Sequence, residues 1–311
     1  MSSLTSAPTS DARGAIATVT NRNLPYLLRT GGSMTLRYLL LIFIAVVSSI
    51  PLIWMVSTSL KERGKEFLFP PELWPDPFAL HNYIDLWPFT NLQHYFFNSV
   101  FITVLAMLGT VITCSMVAFG FARIQFPGRG VLFVAMISTM MLPYIVTLVP
   151  AFVLFRYMHW IDTPFPLIVP SWFGGGAFYI FLVRQFMLQL PRELDEAALA
   201  DGASYFRIYW NIVLPLSGPA LATAAIFSTL SHWNEFLAPL IFLNGEQWRP
   251  MALQMRFYLV SETGGGIVRA VPRWNLLMAS SVVMLVPVLL LFFGAQRYFI
   301  RGIALTGLTG R

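Results

Sequence analysis

Between residues 36 and 60 the chain runs for about 25 positions with Arg37 as its only charge. A signal-peptide core is shorter, about 7–15 residues, and crossing the hydrocarbon of a bilayer takes roughly 20 apolar residues. The run is therefore expected to be a retained membrane span. Five further runs of sufficient length follow, at 96–121, 131–155, 164–190, 214–243 and 275–300. The expected fold is an all-α membrane protein with six transmembrane helices, whose two termini lie on one side.

Composition fits that class. Charged residues make up 11% of the chain and apolar residues 57%, whereas about a quarter of an ordinary soluble domain is charged. The net charge of +6 does not call for nucleic acid, because the arginines are scattered at span ends rather than clustered. Orientation in a membrane accounts for them better. With both termini cytoplasmic, twelve of the twenty basic residues fall inside, among them Arg123, Arg129, Arg184, Arg192, Arg207 and Arg297. Lys61, Arg63 and Lys65 sit against that bias, just beyond the first span. The single cysteine, Cys114, lies inside an apolar run, so it forms no intramolecular disulfide and reads as a small core residue.

The expected organisation is a disordered cytoplasmic tail over 1–34, then a first span and external loop over 35–95. A core of the remaining spans follows over 96–300, and a cytoplasmic tail over 301–311 closes the chain. The first external loop carries Pro70, Pro71, Pro75 and Pro77, which forbid a helix there, while Trp74 and Trp87 suit the headgroup layer. The last external loop, 244–273, contains Gly264, Gly265 and Gly266, a flexible tip with no helix propensity. No internal repeat is visible, nor an inverted pair of broken helices of the kind found in secondary transporters.

Between the fourth and fifth apolar runs lies a polar insert, 192–215, where a plain connection would need two to eight residues. Four of the fourteen acidic residues, Glu193, Asp195, Glu196 and Asp201, fall within its first ten positions. Pro191 suits a first helical turn, and Glu193, Asp195 and Glu196 favour a helix N-terminus through the macrodipole. Ala197, Ala198, Leu199 and Ala200 propagate the helix, and Gly202 is placed to end it in a left-handed conformation. Ser204 can cap a second helix running towards Leu214, with Pro215 at its exit. Leu194, Ala197 and Ala198 share one face by their spacing, and small residues there let another protein approach the backbone closely. An amphipathic helix lying on headgroups is the alternative, but such helices are basic and this one is acidic.

Glu196-Ala197-Ala198, three residues, Gly202, nine residues, Ile212, one residue and Leu214-Pro215 resembles, at every fixed position, the EAA signature of importer permeases of the ATP-binding cassette (ABC) class. Four further stretches look like the carbohydrate-uptake branch, the maltose-type six-span permeases. They are Ala118 to Arg123 with Phe126 to Arg129, Met141-Leu142-Pro143 with Leu148-Val149-Pro150, Phe181 to Phe186, and Trp233 to Phe236. The resemblance runs from about residue 35 to the end.

It implies that the insert is a coupling loop docking into a cleft of a separate ATPase dimer, through Glu193, Glu196, Ala197, Ala198, Asp201, Gly202, Leu214 and Pro215. It also implies a second permease subunit forming a heterodimer and an extracytoplasmic sugar-binding protein. The setting it implies is the lipid bilayer of a bacterial or archaeal cytoplasmic membrane. Gly264, Gly265 and Gly266 would contact the binding protein, although Arg273 stands where an acidic residue is usual before Trp274. The terminal Gly302 to Arg311 looks like the extension that meets the ATPase.

The chain is not expected to be an enzyme. A P-loop requires Gly-x-x-x-x-Gly-Lys-Ser/Thr, and neither of the two lysines, Lys61 and Lys65, has that context. No cofactor is expected on this chain; ATP and magnesium would belong to the partner ATPase. Glu235 is an intramembrane acid, which marks either a functional site or a structural bond, with Arg123 or Asn98 as candidate partners. His232 has no companions at metal-ligand spacing. Ser138, Thr139, Trp172, Phe178, Tyr179, Asn234 and Glu235 are the candidate substrate path, offering hydrogen bonds beside aromatic faces. The alternatives are a proton-coupled secondary transporter using Glu235 and His232, an ABC permease for a cargo other than sugar, and a regulatory membrane protein that only docks partners.

Overall fold

A computed structural model describes residues 24–263 and 273–306, the side chains of 24–33, 35, 89–90, 258–263 and 296–306 excepted. It divides into two compact units, 1–57 and 58–311. The described part of the first is α1 (Leu24–Ser59), which runs into the second unit at its last turn. Its apolar side chains from Leu36 to Ile53 are exposed on all sides, as a helix solvated by lipid leaves them. The helix begins at Leu24, within the stretch whose composition reads as tail; Leu24, Tyr26, Leu27 and Leu28 extend the apolar pattern there.

All regular structure in the second unit is helical, with no strand among its described residues. It is built on α3 (Leu92–Arg123), against which pack α7 (Ala177–Met187), α11 (Gly218–Trp233) and α13 (Met251–Thr263). The buried stripe of α3 is made of small residues at helical spacing, including Ala106, Gly109, Thr110, Cys114, Ala118 and Ala122. In lipid, where apolar attraction between helices vanishes, close backbone approach through small residues drives association. Gly109 illustrates this: a β-carbon there would stand 2.5 Å from the Trp172 ring. The expected core role of Cys114 is met, since it is fully buried.

Four helical stretches are long and apolar enough to cross a membrane: Leu36–Ser59, Leu92–Arg123, Phe165–Met187 and Trp274–Ala295. Two further candidates are bent pairs. Arg129–Met141 turns by 100° into Tyr144–Tyr157, and Tyr205–Leu216 turns by 76° into Gly218–Trp233. The third apolar run is therefore not one straight helix but α4 (Arg129–Ser138) and α5 (Tyr144–Tyr157), broken where Pro143 forces Leu142 into extended backbone. The Phe165–Met187 stretch is interrupted too: α6 (Phe165–Ile168) and a 3₁₀ turn end at three glycines of positive φ, Gly174, Gly175 and Gly176, before α7. Gly175 is held to its identity by contact as well, because a β-carbon would stand 2.8 Å from the Thr110 backbone.

At one end of this unit, loops are tied down by buried amides. Asn82, in α2 (His81–Thr90), donates to the carbonyls of Ser59 and Lys61 at 2.9 and 2.8 Å. It accepts from Asn275 of α14 (Trp274–Thr306) at 3.0 Å. Asn98 donates to the carbonyls of Gln247 and Arg249, and Ser99 accepts from the Met251 amide at 2.7 Å. From sequence, 244–273 is expected to be a loop. Residues 251–263 are instead α13, whose Met251 and Leu253 are fully buried. Tertiary burial overrides the weak helical pattern in this segment. Gly264, Gly265 and Gly266 lie outside the described residues.

Candidate functional site

The polar insert folds into two short helices joined by a glycine elbow. α8 spans Glu193–Ala200, with Glu193, Asp195 and Glu196 in its first turn. It ends at Gly202, whose φ of +79° lies in the left-handed region. There the Gly202 amide donates to the Leu199 carbonyl at 3.0 Å and the Ala203 amide to the Ala198 carbonyl at 2.9 Å, the paired bonds of a Schellman cap. Ser204 caps α9 (Tyr205–Ile208), its hydroxyl accepting from the Arg207 amide. The helix then continues through a single π turn, Tyr209–Val213, into α10 (Leu214–Leu216), which contains Pro215.

Three contacts fix this segment to α3. The Arg123 side chain, 3% exposed, forms an ion pair with Asp195 at 3.1 Å and donates to the Leu190 carbonyl at 3.0 Å. The Tyr209 hydroxyl bonds the Ser115 hydroxyl at 2.7 Å in the interior. The Tyr209 ring also packs against Phe119, with centroids 5.3 Å apart. Arg184 in α7 donates to the Phe121 carbonyl and lies over the Phe133 ring, while Arg129 reaches the carbonyls of Ile124 and Ala122. These arginines, which the sequence offers as orientation signals, also satisfy the carbonyls left open where α3 ends.

The face expected for docking divides. Ala198 turns inward onto the cluster formed by Cys114, Ala118, Met187, Ile208 and Val213. Glu193, Leu194, Glu196, Ala197 and Asp201 remain exposed. A β-carbon at Gly202 would meet nothing within 4 Å, so the elbow also faces open space. Leu214 lies against the buried cluster and Leu216 is exposed.

The candidate substrate-path residues do not converge. Ser138 and Thr139 turn their hydroxyls back onto the Val134 and Met136 carbonyls. Trp172 rests on Gly109, Phe178 stacks edge-on between Tyr179 and Phe227, and Asn234 donates to the Leu230 carbonyl. Glu235 alone among the seven lines a cavity of about 250 Å³. Neither Arg123 nor Asn98 is its partner, because Arg123 is held by Asp195 and Asn98 by the 247–249 carbonyls. Glu235 instead accepts from the amides of Leu237 and Ala238 through Oε1, at 3.0 and 3.1 Å, at the start of α12 (Leu237–Phe242). A carboxylate at a helix N-terminus meets both unsatisfied amides and the positive end of the dipole. Tyr144 and Ser171 share that cavity and were missed from sequence; the helix break at Pro143 was the one signal pointing to Tyr144.

A chain with four to six candidate apolar crossings among its described residues, and an EAA-type elbow locked to α3, can be compared with known proteins. The family model for the inner membrane component of binding-protein-dependent transport systems matches residues 115–305. The chain belongs to that family. It is 33% identical over 259 residues to the diacetylchitobiose uptake system permease protein of Streptomyces coelicolor, covering 83% of each chain. It is 31% identical over 275 residues to the arabinooligosaccharides transport system permease protein of Halalkalibacterium halodurans, covering 86% of this chain and 94% of that one.

Among solved structures, it resembles a chain of a bacterial ABC transporter involved in the import of the acidic polysaccharide alginate. The TM-score is 0.75 at 21% identity, covering 94% of this chain and 100% of that chain. That likeness establishes the fold. The protein is thus a multi-pass inner-membrane permease subunit of an ABC importer, and the family's membrane component is not itself catalytic.

Proposed function

We propose that this permease forms half of the translocation path of a sugar importer, crossing the membrane six times with both termini cytoplasmic. In this reading α8, Gly202 and α9 are the handle gripped by a separate ATPase dimer, which alone binds ATP and magnesium. A second, non-identical permease subunit completes the path, and an extracytoplasmic binding protein delivers the sugar. The carbohydrate class is supported by relatives named for diacetylchitobiose, arabinooligosaccharides and alpha-glucosides. A proton-coupled carrier is not favoured by this family membership.

The observation carrying the coupling role is the acidic helix whose outer face is free while its inner face is locked to α3. Asp195 is paired with Arg123, Ala198 is packed inward, and Tyr209 is bonded to Ser115. A handle needs both properties: a surface left open for the partner and a stiff attachment to the moving helices.

Gly202→Val tests it. Left-handed backbone costs an L-residue roughly 1–2 kcal/mol, and more when the residue is β-branched, too little to unfold a membrane bundle. The variant is expected to insert and assemble normally but to lose more than tenfold of sugar uptake and of binding-protein-stimulated ATP hydrolysis. Uptake at the native rate would overturn the coupling role.

A further inference from the structure

We propose that the outer face of the limb Tyr205–Leu216 is an interfacial anchor, seated through Phe206 and Trp210 in the headgroup layer of the cytoplasmic leaflet. This rests on the cytoplasmic placement of the insert proposed above, and it adds a phospholipid surface to the partners of that segment.

The limb has two unlike faces. Inward, Ile208, Tyr209 and Val213 are buried in one cluster with Cys114, Phe119 and Met187. Outward, Phe206 is 66% and Trp210 59% exposed, and their rings stack with centroids 6.4 Å apart and planes 17° from parallel. On an uninterrupted α-helix the next residues to share the face of Trp210 would be 213 and 214. Here Val213 is buried and Leu214 packs against the same cluster. The π turn removes the conflict. Its i→i+5 bond, from the Leu214 amide to the Tyr209 carbonyl, takes up one extra residue. The outer face then continues at Pro215 and Leu216, both exposed.

Geometry and charge select the occupant. The limb meets α11 at 76°. Membrane-spanning helices tilt about 20° from the bilayer normal, so the limb runs closer to the bilayer plane than to its normal, just where the chain enters the span. Tryptophan is enriched at that depth, and helices lying in the interface carry Trp and Phe on the buried face with Arg or Lys beside it. From Gly202 to Leu216 the one charge is Arg207, which is exposed next to Phe206. The negative cytoplasmic leaflet attracts such a cation. It repels α8, where Glu193, Glu196 and Asp201 are exposed against one exposed cation, Arg192. Gly202 therefore separates an acidic half of the insert, suited to a protein partner in the cytosol, from an aromatic half suited to lipid.

The test uses the assembled importer, with its second permease subunit and ATPase, in nanodiscs of phosphatidylethanolamine and phosphatidylglycerol. Photoreactive benzoylphenylalanine replaces Trp210 in one preparation and Ala197 in another, and the adducts are identified by mass. At position 210, phospholipid adducts should outnumber protein crosslinks at least fivefold. At position 197 the ATPase should dominate instead. Crosslinks at 210 mainly to the ATPase or to the second permease would overturn the anchor and assign this face to a subunit interface. Absence of any adduct at 210 would overturn it as well, since the face would then look onto water. Lipid at 210 with no ATPase crosslink at 197 would leave the anchor standing and overturn the handle.

A second measurement asks whether the anchor serves coupling. Phe206→Gln with Trp210→Gln should lower binding-protein-stimulated ATP hydrolysis in the same nanodiscs at least threefold. Tyr at both positions, which suits the headgroup layer, should rescue most of that loss. Native stimulation in the Gln pair, or no rescue by the Tyr pair, would overturn that role.

Discussion

At the scale of single residues, the informative charges are those held by specific partners. Arg123 and Asp195 are almost fully shielded, and their pairing is the sole ion pair found between α3 and the insert among the described residues. Removing one member of a buried pair strands the other, which costs about 3–5 kcal/mol. Arg123→Ala should therefore lower the thermal midpoint of the purified complex and release α8. The exchange Arg123→Asp with Asp195→Arg should recover part of both losses. An unchanged midpoint in Arg123→Ala would show that the pair carries no weight.

Asp162 makes a different kind of bond. Its carboxyl accepts first from the Gly245 amide, at 2.8 Å, and also from the Asn244 amide. These bonds hold its pKa below the usual carboxylate range against the opposing effect of desolvation. A depressed folded-state pKa means the bond stabilises above the unfolded value of about 4 and is lost as pH falls through the folded value. Amide exchange at Asn244 and Gly245 should accelerate on acidification below that range in the native chain. In Asp162→Asn it should be insensitive to pH in the same window, once corrected for intrinsic chemistry.

At the scale of elements, the insert was the most legible part of the chain. Its glycine, its Ser204 cap and its acidic first turn each act within one or two helical turns, so local rules suffice. What local rules could not supply is which side of α8 faces the bundle, because that depends on where α3 and α7 stand. Leu194, Ala197 and Ala198 looked equivalent, yet Ala198 is packed inward while Ala197 is exposed. A cysteine at Ala197 should therefore crosslink to the ATPase partner more readily than one at Ala198. Equal yields would mean that docking reshapes this helix. The same limit explains α13: its pattern is weak, and only burial of Met251 and Leu253 against distant residues makes it a helix. It also explains Glu235, whose amide partners lie in a helix start that a continuous apolar run conceals.

At the scale of the whole molecule, apolar run length located every candidate span but did not show which of them are broken. Leu142-Pro143 and the three glycines at 174–176 read as punctuation within long hydrophobic stretches. In a membrane such punctuation is admissible where neighbouring helices close around it. The breaks then bring Tyr144, Ser171 and Glu235 to one cavity, although the three lie far apart in the chain.

The bend at Ser217 has a mechanical consequence. The limb Tyr205–Leu216 meets α11 at 76°, so for a rigid joint only the cosine of that angle, about a quarter of any displacement, passes along the axis of α11. Nearly all of it falls across that axis. A stroke delivered along the limb would therefore swing the span sideways rather than slide it like a piston, and a sideways swing is the motion that opens or closes a gap between neighbouring helices.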